Sequence, residues 1–122
     1  MRSIYPVLRY PDVRAAADFL CSAFGFTVRE AHELPDGTVG HAELAYGDDL
    51  VMLGPGPAPR SRPADDDYRV YVALDDVDAH HERARSAGAE IVRPPFDTDY
   101  GSRDYAARDL AGLVWSFGTY RP

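Results

Sequence analysis

Cysteine is almost missing from this chain: Cys21 is the single one in 122 residues. One thiol can form neither an internal disulfide nor a cysteine metal cluster. No stretch approaches the roughly 20 apolar residues of a membrane helix, and Met1-Arg2-Ser3 leads into no apolar signal core. Positive charge is also short, with 13 basic against 20 acidic residues and a net charge of −7. That balance argues against nucleic acid and anionic membrane surfaces as partners and leaves room for a cationic ligand. A cytoplasmic location is expected. What remains is ordinary: 45% hydrophobic and 27% charged residues, in a length that suits one domain spanning residues 1–122.

The pattern along the chain is strand, helix, strand, strand, strand, and it occurs twice. Ile4 to Arg9 reads as a strand, with Pro6 pointing to an edge or bulge. Asp12 stands where an N-cap belongs, and Val13, Ala16, Ala17, Leu20, Cys21 and Phe24 recur at helical spacing up to Gly25. Strands are expected over 26–34, 38–46 and 50–53, separated by the turn signals Pro35-Asp36-Gly37 and Gly47-Asp48-Asp49. The same order restarts at Tyr68. It has an N-cap at Asp76, a helix marked by Val77, His80, Ala84 and Ala87, a stop at Gly88, and strands over 89–93, 102–108 and 113–120. Pro94 to Gly101 is expected to be a loop. Asp12-Val13 repeats as Asp76-Val77, 64 residues on, and Gly47 repeats as Gly112, 65 residues on. The expected modules are 3–54 and 68–120, joined by a Pro-rich linker over 55–67. The linker permits the modules to pair within a chain or between chains.

These segments resemble the superfamily of glyoxalase I, bleomycin-resistance proteins and extradiol dioxygenases. The resemblance rests on Pro6 to Val13, Ala17-Asp18-Phe19-Leu20, Phe24-Gly25-Phe26 and His41-Ala42-Glu43-Leu44 before Gly47-Asp48. In the second half it rests on Val72 to Asp78, Ala87-Gly88-Ala89, Pro94-Pro95, and Tyr100-Gly101-Ser102-Arg103 before Arg108 to Gly112. Leu110 stands where the superfamily's turn usually has proline. The resemblance implies an α+β fold of two tandem β-α-β-β-β modules forming an eight-stranded curved sheet, or cup, in a homodimer.

Enzymes of that superfamily usually hold a divalent metal through one His or Glu from the first and last strands of each module. The corresponding positions here are Tyr5, Arg69, Ser116, and either Val51 or Met52. None is a normal ligand, and a guanidinium repels a metal ion. No metal and no other cofactor is therefore expected. Arg69 can grip a ligand's carboxylate or phosphate, or it can pair with the acidic run Asp65-Asp66-Asp67.

The other ligand-binding candidates are Tyr5, Tyr71, Tyr100, Arg103 and Tyr105, with Ser116 facing the cup and Trp115 and Phe117 facing the other way. In bleomycin-binding members an aromatic stacks on the drug from the loop that holds Tyr100. His41 and Glu43, two apart on a strand, share a face and are the candidates for proton transfer. His80 and His81 are expected on the surface of their helix, His32 in solvent, and Cys21 as an inert core thiol. Two functions follow. One is a metal-free protein that sequesters a small aromatic or cationic molecule, such as an antibiotic. The other is an enzyme, metal-dependent or using His41 and Glu43 alone.

Overall fold

The computed structural model describes residues 2–57 and 69–122. The chain divides into two compact units, Met1–Ala58 and Pro59–Pro122. Most of the expected linker, including Asp65 to Asp67, lies outside the described residues.

In the first unit, β1 (Val7–Tyr10) is followed by α1 (Val13–Phe24), β2 (Thr27–Glu33), β3 (Val39–Tyr46) and β4 (Asp49–Pro55). The sheet order is β1-β4-β3-β2, with β1 parallel to β4 and the other pairs antiparallel. β1 is thus an edge strand. Pro6 just precedes it, and its carbonyl accepts from Met52 N–H at 2.9 Å. α1 forms where the spacing of its apolar residues predicts it. The Asp12 carboxylate accepts from Ala15 N–H, and Gly25 closes the helix in a left-handed conformation at φ 86°. Val13, Ala16, Ala17, Leu20, Ala23 and Phe24 make its buried stripe, while Cys21 is half-buried at the margin. The sheet face beneath α1 supplies Ala42, Leu44, Val51 and Leu53 to the core.

The second unit repeats the plan with β5 (Val70–Ala73), α2 (Val77–Ser86), β6 (Glu90–Asp97), β7 (Arg103–Arg108) and β8 (Val114–Gly118), in sheet order β5-β8-β7-β6. The expected α+β fold with two β-α-β-β-β modules is thus present as two four-stranded sheets, each with one helix. α2 buries only Val77 and Ala84, so the sheet supplies most of this core: Val72, Tyr105, Ala107, Trp115 and Phe117. Strand β6 runs on through Pro94 and Pro95, where the sequence suggested a loop. Two prolines are tolerated because β6 is an edge strand, and its pairing with β7 slips twice between Ile91 and Phe96.

Candidate functional site

Each sheet has one face under its helix and one face turned away from it. The two-residue period of the strands decides which side chains share a face. In the second unit Tyr71 pairs with Ser116, and Ala106 pairs with Ser116 from the other side. These side chains lie on the face away from α2. Arg69 joins them, since its guanidinium donates to Ser116 Oγ at 2.9 Å. Among the described residues Arg69 has no carboxylate partner. The aspartates that could pair with it lie outside those residues. The phenol of Tyr71 donates to the Asp104 carboxylate at 3.3 Å and accepts from Tyr120 N–H at 3.1 Å. Both groups close over Gly118, where any Cβ would overlap Asp104 and the Tyr71 hydroxyl. Partial burial, followed by the neighbouring Asp104 charge, raises the Tyr71 phenol above its ordinary value, against the pull of the Tyr120 N–H.

Two expected ligand contacts are corrected. Tyr105 pairs with Phe117, stacks on it at 5.0 Å, and is 1% exposed beneath α2. Arg103 has the same parity on β7 and reaches Asp78 of α2 and Asp97 of β6, at 3.0 and 3.1 Å. Both therefore stand on the opposite side of the sheet from Ser116. Trp115 and Phe117 also lie under α2, as the alternation predicts. His80 is no surface histidine: it is half-buried, its ring 4.5 Å from that of Phe117, and it shares a hydrogen bond with the Tyr105 hydroxyl. His81 meets the edge of the same tyrosine. Tyr100 is 69% exposed on the loop after β6 and packs edge-on against Tyr120.

In the first unit Val7 pairs with Met52, and Met52 with Glu43. Val51 is buried under α1, so Met52 is the residue on the open face that corresponds to Ser116. Tyr5 is exposed before β1, its hydroxyl donating to the Arg2 carbonyl. His41 and Glu43 do share the open face, with Nε2 and Oε2 3.4 Å apart. The register of β2 adds residues that sequence reasoning treated as separate. His32 pairs with His41 and Glu30 with Glu43, and the two imidazoles lie 5.8 Å apart. His32 has its own carboxylate, Glu30, at 3.3 Å. Two His–Glu pairs thus stand side by side. Among the described residues no three His, Cys, Asp or Glu side chains are placed to hold a metal ion. Two surface hollows lie away from these groups. One of about 380 Å³ lies between the start of α1 and the β2–β3 turn, and one of about 340 Å³ lies beside Phe96 and Tyr100.

Comparison with known proteins gives a consistent picture. A family model described as Glyoxalase/Bleomycin resistance protein/Dioxygenase superfamily matches residues 3–117. The crystal structure of TioX from Micromonospora sp. ML1 is 33% identical, covers 99% of this chain and 98% of its own, and superposes with a TM-score of 0.79. The fosfomycin resistance protein FosX from Mesorhizobium loti, at 17% identity and a TM-score of 0.75, shares the fold. The anthracycline biosynthesis protein DnrV of Streptomyces peucetius is 31% identical over 88% of this chain, which spans only 44% of that relative's length. The Mycobacterium bovis protein Mb0911c is 30% identical, covering 95% of this chain and 82% of its own.

Proposed function

The chain belongs to the Glyoxalase/Bleomycin resistance protein/Dioxygenase superfamily, and from that membership we propose that it is a metal-free small-molecule-binding protein, homodimeric and cytoplasmic, that sequesters an aromatic or cationic compound. One observation carries the reading. Where the superfamily's enzymes hold a metal, this chain has Tyr5, Met52, Arg69 and Ser116, and the last two are hydrogen-bonded to each other. A thioether, a phenol, a hydroxyl and a guanidinium do not make a set for a divalent ion, and the guanidinium opposes one. The same groups suit an organic ligand. Arg69 offers a fork of donors, and the exposed rings of Tyr71 and Tyr100 offer stacking surfaces. The similarity to a protein of anthracycline biosynthesis supports an antibiotic-like compound. The net charge of −7 favours a cationic one. No helix among the described residues is long and apolar enough to cross a membrane.

A second reading, metal-free acid–base catalysis, is favoured by the His41–Glu43 contact on an open sheet face.

The test is the metal content of untagged protein after exposure to nickel, zinc, manganese and ferrous iron, followed by gel filtration and a thermal-shift screen of antibiotics. Traces of every metal, together with a stabilising compound, are expected. One equivalent of any metal, lost in His41→Ala or Glu43→Ala, would overturn the assignment.

A further inference from the structure

The open face of the first unit holds a guanidinium that none of the readings above uses. Arg9 on β1 pairs with Gly54 on β4. Its side chain lies across Gly54 and Gly56: a Cβ at Gly54 would stand 2.6 Å from Arg9 Nη1, and one at Gly56 would stand 2.9 Å from Arg9 Cβ. The absence of two side chains gives this arginine a fixed bed. No carboxylate among the described residues pairs with it. Ala42 pairs with Leu53 and Glu43 with Met52, so one step further along β3 brings His41 beside Gly54. Side chains opposite one another on a sheet face stand about 5 Å apart. Arg9 and His41 therefore flank the same glycine, one on each side.

The groups facing His41 can be named strand by strand. On β3 there is Glu43, on β2 His32 and Glu30, on β4 the uncharged Met52 and Gly54, and beyond them Arg9 on β1. An ionised Glu43 only accepts hydrogen bonds, so it fixes the proton of neutral His41 on Nε2 and leaves Nδ1 with a lone pair. His41 is thereby an oriented base, with 39% of its side chain open to solvent. A preformed anion meets repulsion from Glu43 and Glu30, whereas a neutral hydroxyl meets none.

Resting on the small-molecule reading above, we propose that Arg9, His41 and Glu43 bind a ligand's acidic hydroxyl, a phenol or an enol, and hold it as the anion. The ligand's O–H bond breaks, and its proton forms a bond to His41 Nδ1. The electron pair stays on the ligand oxygen, which accepts hydrogen bonds from the Arg9 guanidinium. The new imidazolium is held by the Glu43 carboxylate. Total charge is unchanged, and no oxidant or co-reactant is needed.

The experiment uses p-nitrophenol, whose phenolate is coloured, and p-nitroanisole, its methyl ether with no acidic proton. Binding is measured by calorimetry and phenolate formation by absorbance across pH. Bound p-nitrophenol should ionise about one pH unit lower than free p-nitrophenol, a tenfold change in proton affinity, and bind more tightly than the ether. Arg9→Gln and Gly54→Ala should both abolish the shift, the second by displacing the guanidinium while keeping every charge. Arg85→Gln, on the exposed side of α2 in the other unit, should leave the shift intact. Equal binding of phenol and ether, an unshifted titration, a shift that survives Arg9→Gln, or no binding of either probe overturns the proposal. The antibiotic thermal-shift screen judges the broader ligand-binding reading separately.

Discussion

Asp109 is the polar residue on which the second unit's last turn depends. It is 6% exposed, yet one carboxylate oxygen accepts from the Trp115 indole N–H at 3.0 Å, and the other from Ala111 and Leu113 N–H at 2.9 and 3.1 Å. Asp109→Ala strands three donors in and around a core, at a cost of about 2–4 kcal/mol. Urea unfolding followed through Trp115 fluorescence measures it. Tyr71 makes a prediction about alkaline pH. Its folded pKa is raised, so the stability held by the neutral phenol is fully present below 10, its unperturbed value, and is lost as pH rises through the folded value. In an alkaline titration read by tyrosinate absorbance, Tyr71→Phe should remove a late-ionising phenol, and the variant's stability should fall less steeply at high pH. The same residue scale shows where the sequence misled. Tyr105 and Arg103 resemble site residues in composition, but β7 begins in a register that turns both toward α2. A single-residue difference in where a strand starts exchanges the faces, and nothing local in residues 102–108 fixes it.

At the scale of elements, the helices were the most legible parts. α1 occupies the residues its spacing predicts, because its cap, its apolar stripe and its terminal glycine agree. Asp12→Ala removes the bond to Ala15 N–H and should cost about 1 kcal/mol, read as a fall in the thermal unfolding midpoint. α2 is weakly apolar, and His80 fills part of its inner face by packing on Phe117 and meeting the Tyr105 hydroxyl. His80→Ala should therefore destabilise by about 1–3 kcal/mol, where a surface histidine would change little, and chemical denaturation distinguishes the two. β6 was the least legible element. Its prolines read as a loop in isolation, and only its edge position makes them compatible with a strand.

At the scale of the molecule, none of the 13 basic residues is lysine, so every fixed side-chain cation is a planar guanidinium suited to forked contacts with oxygen. The proposed homodimer predicts twice the 13.5 kDa chain mass in light scattering. The tandem order of elements, the two helices and the superfamily could all be read from the chain, because turn residues and apolar periodicity are local signals that survive without neighbours. The metal-free proposal rests on the identities of Tyr5, Arg69 and Ser116, which are read directly from the chain. The folded sheets decided the rest. They placed Met52 rather than Val51 on the open face, brought Glu30 and His32 beside His41 and Glu43, and laid Arg9 across Gly54. Those groups come from four strands, and strand register is set by pairing between residues far apart in sequence, where a chain read one residue at a time carries no signal.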